Sequence, residues 1–310
     1  MLNPMNVLPV VGLGFLLCIV MALGCYPHPP KSAAFPGANG WRANDFFHDE
    51  QVIELCDSID SNNPSKIKRL AEAGADVNAI GKDGMTLLLW AFARNNLECF
   101  EMLLQKGTNP NLTFQSRFGT NVIKPGDEII HLATKASQDG FLGAVLTHDG
   151  DPNLTNANGD TPLCLVISHA PSKKQRIRML LDAGADINGR GRSGDTPLMR
   201  AAGWGGQYGI ALFLLQNGAD PMVRQQPSLL NFVDVFVESE NINPKSWTTQ
   251  QQSDFEQIEN WLTDHGISVA NVRSDHQRWN RWIKNHPEVE SHKDTLGYQE
   301  RAASFSDENK

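Results

Sequence analysis

None of the 27 basic and 35 acidic side chains of this 310-residue sequence lies ahead of Lys31, and no block of Lys or Arg occurs after it. With a formal net charge of −8, the absence of a basic run excludes a nucleic-acid partner bound through its phosphates. The five cysteines (Cys18, Cys25, Cys56, Cys99, Cys164) contain no Cys-x-x-Cys pair, which argues against a zinc site or a disulfide framework. Catalytic signatures are missing as well. There is no phosphate-binding Gly-x-x-x-x-Gly-Lys-Ser/Thr loop, no Gly-x-Ser-x-Gly elbow, no His-Glu-x-x-His and no calcium loop. Of the nine histidines, His276, His286 and His292 lie in a polar stretch without the close spacing of metal ligands, so neither metal nor cofactor is expected. Wholesale disorder is excluded too, because 40% of the residues are hydrophobic and the length supports a sizeable core.

What the N-terminus does contain is a near-continuous apolar run from Val7 to Gly24. Such a run reads as an export signal or a single membrane span. Its end, Met21-Ala22-Leu23-Gly24-Cys25, resembles a bacterial lipobox, which implies lipidation of Cys25 and its exposure as the mature N-terminus. An uncleaved anchor helix and an ordinary cleaved signal are the alternatives. All three place the remaining chain outside a bacterial cytoplasm, on the periplasmic or cell-surface side, and the first two tether it to the membrane. Residues 26–46, with Pro27, Pro29, Pro30, Pro36, Gly37 and Gly40, read as a flexible tether. A coil of that length reaches about 25 Å.

Beyond the tether the sequence repeats. Gly74-Ala75-Asp76-Val77-Asn78 returns as Gly107-Thr108-Asn109-Pro110-Asn111, Asp149-Gly150-Asp151-Pro152-Asn153, Gly184-Ala185-Asp186-Ile187-Asn188 and Gly218-Ala219-Asp220-Pro221. The third position falls at 76, 109, 151, 186 and 220, a period of 33 to 35 with one interval of 42. Thr161-Pro162-Leu163 and Thr196-Pro197-Leu198, with weaker copies at Thr86 and Glu128, open a helix in each period: the first residue caps, and proline suits the first helical position. A second helix in each unit shows an apolar stripe at helical spacing, as in Leu97, Phe100, Leu103 and Leu104, or Ile210, Phe213 and Leu214. Asn158-Gly159 and Ser193-Gly194 supply hairpin turns. One helix pair cannot cover its own stripe, so the units must stack. This pattern resembles the ankyrin repeat. It implies an all-α solenoid of about five to six helix-turn-helix units with short hairpin loops.

The expected organisation is a signal, lipobox or anchor segment at 1–25, the tether at 26–46, repeats over 47–223, a C-terminal helical cap over 224–273, and a polar, partly disordered tail over 274–310. Three connections from closing Asn to helix-capping residue span eight residues, but Asn111 to Glu128 spans seventeen. The excess, within Leu112 to Gly126, is expected to protrude as a finger carrying Phe114, Arg117, Phe118 and Lys124 as partner-binding residues. The family resemblance implies recognition through hairpin tips and exposed first-helix positions. Those positions are Lys82, Asp83, Met85, Ala93 and Arg94, then Asn158, Asp160, Ser168 and His169, then Arg192, Ser193, Asp195 and Trp204. Trp204, in a Gly-Trp-Gly-Gly turn, is a candidate anchor beside the finger. The function expected is therefore non-enzymatic capture of a protein partner of unknown identity, either an envelope enzyme or a toxin to be neutralised. A structural spacer is the runner-up reading, and an enzyme using Asp234, Glu238 or His265 is the third.

Overall fold

The computed structural model describes residues 38–118, 123–203, 206–225, 228–240 and 246–285. Within them lie thirteen α-helices and no strand beyond isolated bridges. The helices pair into units: α1 (Glu50–Asp60) with α2 (Pro64–Glu72), α3 (Leu87–Ala93) with α4 (Leu97–Gln105), and α5 (Ile129–Lys135) with α6 (Asp139–Thr147). Next come α7 (Pro162–His169) with α8 (Lys173–Asp182), α9 (Pro197–Gly203) with α10 (Tyr208–Gln216), and α11 (Phe232–Ser239) with α12 (Thr249–Asp264). The last helix, α13, spans Val269–Asn285. First helices stack on first helices and second on second, so α5 packs on α7, α7 on α9 and α9 on α11, while α2, α4, α6, α8, α10 and α12 form the outer row.

Burial follows the apolar stripes. Leu55, Ile59, Ile67, Phe100, Leu103, Ile177, Leu180 and Leu214 are all at or below 1% exposure, so each outer helix seals its own unit and the next. Phe141 of α6 sits edge-on to Phe92 and Phe100 (centroids 4.9 and 5.2 Å), which joins the second unit to the third. The capping residues do what their chemistry requires. Thr86 Oγ1 accepts from the Leu89 amide (3.1 Å), Thr161 from Cys164 and Thr196 from Met199 (both 3.3 Å). The third unit has Glu128 instead. There the Glu128 amide donates to His131 Nδ1 (3.0 Å), and Nε2 stands 3.0 Å from the Leu154 carbonyl. Held on both ring nitrogens inside the stack, His131 is a structural imidazole.

The recurrent Gly-x-Asp-x-Asn signature turns out to be a ladder between units. Within a unit, Asp76, Asn109, Asp151 and Asp186 accept from the amide two residues on (2.8–2.9 Å). Between units, Asn153 Nδ2 donates to the Gly184 carbonyl (3.0 Å) and its Oδ1 accepts from the Asp186 amide (2.7 Å). Asn78 and Asn111 repeat both bonds one unit earlier each. The ladder stops at Met222, which stands where the Asn would be and is 49% exposed. Asn153→Ala should therefore lower stability by about 1–2 kcal/mol in urea denaturation, and Met222→Ala by less than about 0.5 kcal/mol.

Two boundaries are drawn more finely. The polar stretch expected from residue 274 starts as helix, because α13 runs through Arg273 to Asn285. Arg273 donates Nε to Glu240 Oε1 (2.8 Å), and its Nη2 also reaches Glu240 and Glu259, so the residue fastens α13 to the two helices beneath it. Residues 286–310 of the expected tail lie outside the described residues. At the other end, 38–46 is not free tether. It forms two 3-10 turns, Ala38–Gly40 and Ala43–Asp45, packed on the first two units. Cys56, Cys99 and Cys164 are buried, and burial pushes the thiols of the latter two up to about 11.

Candidate protein-binding surface

The two aromatic residues expected on the finger do not point away from the stack. Thr113 bridges Glu128, Phe118 bridges Ile123, and the Phe114 amide donates to the Asp127 carbonyl (2.8 Å), so the described parts of the insertion pair with each other as hairpin arms. Phe114 and Phe118 are 2% and 5% exposed and cannot serve as projecting anchors. The physical reason lies in a cluster that counting residues between repeats does not reveal. Phe118 packs on Trp41 (5.9 Å) and Phe46 (6.3 Å), and both of those rings lie 6.1 Å from Trp90 on α3. Large rings gain more by joining one another than by standing in water.

Arg94 completes this cluster. Its guanidinium lies 4.6 Å above the Trp90 ring, donates Nε to Asp60 Oδ1 (2.8 Å), and donates to the carbonyls of Ala38 and Trp41, the latter at 3.1 Å. Trp90 Nε1 donates to the same Asp60 oxygen (2.8 Å). The Lys82 amide donates to the Phe46 carbonyl (2.8 Å), so the segment from Ala38 to Phe47 takes the place of a hairpin for the first unit and continues over the ends of α1 and α3. The residue expected to meet a partner thus meets the chain's own backbone.

The remaining expected residues divide. Lys82 and Asp83 are exposed at a hairpin tip, where Asp83 has φ +63° and accepts from Ser116 Oγ (3.3 Å). Arg117 is exposed, and Lys124 is half-buried with Nζ on Asn158 Oδ1 (2.9 Å). His169 and Arg192 are exposed, at the end of α7 and at the next hairpin tip. Met85 and Ala93 are buried, which corrects their expected exposure. Asp160 and Asp195 are also buried, for an electrostatic reason: Arg200, 3% exposed, donates Nη2 to Asp160 (2.8 Å) and Nε and Nη2 to Asp195 (2.8 and 2.9 Å). Trp204 and Cys25 lie outside the described residues.

Sequence reasoning passed over Lys135, the last residue of α5. It is half-buried and has no hydrogen-bond or ion-pair partner among the described residues. Burial, with Lys124 adding to it and Asp127 and Asp160 opposing, holds its ammonium below the usual lysine range. The His169 pKa is lowered by desolvation and by Lys135, Arg200 and Lys173, against Asp160. Of the residues weighed for catalysis, Asp234 caps α11 by accepting from the Asn231 amide (3.0 Å), and His265 stacks on Trp261 at 3.7 Å. His276 of α13 stands between Asp234 (3.3 Å) and Glu238 (3.7 Å), a junction between α13 and α11.

The helix pairs, hairpins and Asn ladder define an ankyrin-repeat architecture. Family models for ankyrin repeats match residues 55–123 (many copies) and 130–225 (3 copies), together more than half of the chain. The chain belongs to the ankyrin-repeat family. It is 27% identical over 199 residues to the Bos taurus mitochondrial disaggregase, covering 62% of this chain and 25% of that protein. It is 30% identical over 159 residues to human ankyrin repeat and SOCS box protein 16, covering 49% of this chain and 33% of that one. The chain therefore spans a quarter to a third of the length of these relatives. Among solved structures, an ankyrin repeat domain from Acinetobacter baumannii AYE superposes with a TM-score of 0.53 at 21% identity, covering 69% of this chain and 98% of that one. EF0377, an ankyrin repeat protein, does so with a TM-score of 0.50 at 21% identity, covering 67% and 96%. Those two likenesses concern the fold.

Proposed function

We propose that this chain is a non-enzymatic module that grips an extended segment of a protein partner along the hairpin tips and first-helix ends of its later units. The observation that carries the reading is intramolecular. At the second unit, this same surface already holds a stretch of polypeptide, with the carbonyls of Ala38 and Trp41 bonded to Arg94 and with Trp41 and Phe46 against Trp90. Filling of the face at the first two units leaves the stretch from the third to the fifth unit for a partner in trans. The ankyrin-repeat family membership supports a protein rather than a small molecule as that partner.

A photoreactive residue at position 193, an exposed hairpin tip, tests this in cells against one at position 182, an exposed outer-helix end. A discrete crosslinked species from 193 and none from 182 is expected. Equal labelling from both positions would refute the assignment of the binding face.

The proposal includes a membrane tether on the exported side of a bacterial envelope. Its support is the apolar run Val7 to Gly24 followed by Cys25, all outside the described residues. No helix among the described residues is long and apolar enough to cross a membrane. Mass spectrometry of the purified mature protein should give an N-terminal Cys25 carrying acyl chains. An intact Met1 would leave only the anchor version of the tether standing.

A further inference from the structure

Counting from the helix-capping residue, His169 stands eight positions after Thr161, as Arg94 stands eight after Thr86. Lys135 stands seven after Glu128. The structure thus offers an internal comparison of one surface in three neighbouring units. At the second unit the cation is saturated by the chain's own segment. At the third and fourth units Lys135 and His169 have no partner among the described residues, and the exposed Arg192 guanidinium likewise has none.

The carboxylates nearest to these cations are already engaged. Asp127 accepts from the amides of Lys124 (2.9 Å) and Ala157 (3.1 Å). Asp160 accepts from the Arg192 amide (3.2 Å) and from Arg200 (2.8 Å). Lys173 Nζ is turned to neutral oxygens, the Ile167 carbonyl and Gln207 Oε1, so its charge is not cancelled. A chain with eight more acidic than basic groups therefore presents here a strip whose outward side chains are basic, two of them cationic and one an imidazole. A half-buried ammonium that no carboxylate contacts directly is only partly compensated by Asp127 and Asp160, and an incoming carboxylate lowers the remaining cost.

Resting on the protein-binding reading above, we infer that the strip formed by Lys135, His169 and Arg192, flanked by Lys124 and Lys173, docks an acidic, extended segment of the partner. The spacing supports an extended peptide, because the three residues belong to successive units and a chain crossing them meets one basic side chain per unit, the His169 imidazole gaining its charge as it binds. Carboxylates arriving there raise the His169 pKa from its lowered value. Binding then takes up a proton, and affinity gained below the free-state pKa fades as pH rises through the bound-state value. The groups facing His169 in this balance are Lys135, Asp160, Lys173 and Arg200.

Selection of a random twelve-residue peptide display library on the full chain tests the inference. Peptides selected on the native protein should be enriched at least about two-fold in Asp and Glu, and Lys135→Glu with Arg192→Glu should abolish or invert that bias. The best acidic peptide should bind several-fold more tightly at pH 5.5 than at pH 8, with about tenfold as the ceiling for a one-unit pKa shift. His169→Gln should flatten that dependence while circular dichroism stays unchanged. Selected peptides without acidic enrichment, no selectable peptide at all, or a bias untouched by the charge reversals would overturn the inference. Crosslinking from position 193 that persists alongside such a result would sink the acidic docking site alone, and loss of both would sink the binding face as well.

Discussion

Arg176→Ala should lower the stability of the stack by about 3–5 kcal/mol, the cost of breaking a buried charged pair from one side. Arg176 lies on α8, fully buried, and its guanidinium reaches across to the preceding unit. Nε donates to Asp139 Oδ1 (2.7 Å), Nη1 to the carbonyls of Ala133 and Thr134, and Nη2 to the Ala136 carbonyl (2.6 Å). Those carbonyls close the end of α5, where only that of Ala133 has a backbone amide as well, from Ala136 (3.3 Å). Truncation leaves them and Asp139 without their donor at the join between the third and fourth units. Urea denaturation followed by circular dichroism reads the loss, with Arg178→Ala on the same helix as the comparison. A change below about 1 kcal/mol for Arg176→Ala would show that the guanidinium is replaceable by water.

Trp90→Ala should cost a comparable amount, about 3–5 kcal/mol, the range for truncating a large buried aromatic. The ring is 1% exposed, contacts Trp41 and Phe46, and its indole N–H is bonded to Asp60. Its removal also takes away the platform under Arg94, which holds the segment beginning at Ala38. A second readout follows: trypsin should cleave after Arg42 many times faster in Trp90→Ala than in the native chain, while Trp90→Phe should retain most of the protection. Unchanged cleavage would mean that the segment is held independently of the ring. Excision of residues 115–125 is expected to act in the same direction by uncovering Trp41 and Phe46, so that it damages the fold and is unsuitable as a clean test of partner capture.

The period was legible because its residues act locally. Thr161 caps a helix through its own side chain, Pro162 needs no amide, and Asp186 closes its turn two residues away. The cross-unit role of Asn153 was foreshadowed by its recurrence, although not by any local rule. The binding surface was less legible. His169 and Arg192 sit at exposed positions of the pattern, as expected, whereas Phe114 and Phe118 belong to the interior. Trp41, Phe46 and Phe47 within seven residues were the overlooked signal, since three aromatics so close together are out of keeping with a flexible tether.

Arg176 and Lys135 show why the remainder stayed hidden. Both occur in polar stretches at helix ends, and nothing in their neighbours along the chain separates a buried arginine from a solvated one. By itself the sequence determined the repeat, the helix starts and stops, and the stacked all-α architecture, because capping, turn chemistry and helical spacing act over a few residues. Only the tertiary structure decided that Phe114 and Phe118 turn inward, that Arg94 is consumed in cis and that Lys135 is left without a direct carboxylate contact. Each of those outcomes depends on groups about 25 to 75 residues apart in the chain, whose meeting is set by how the units stack.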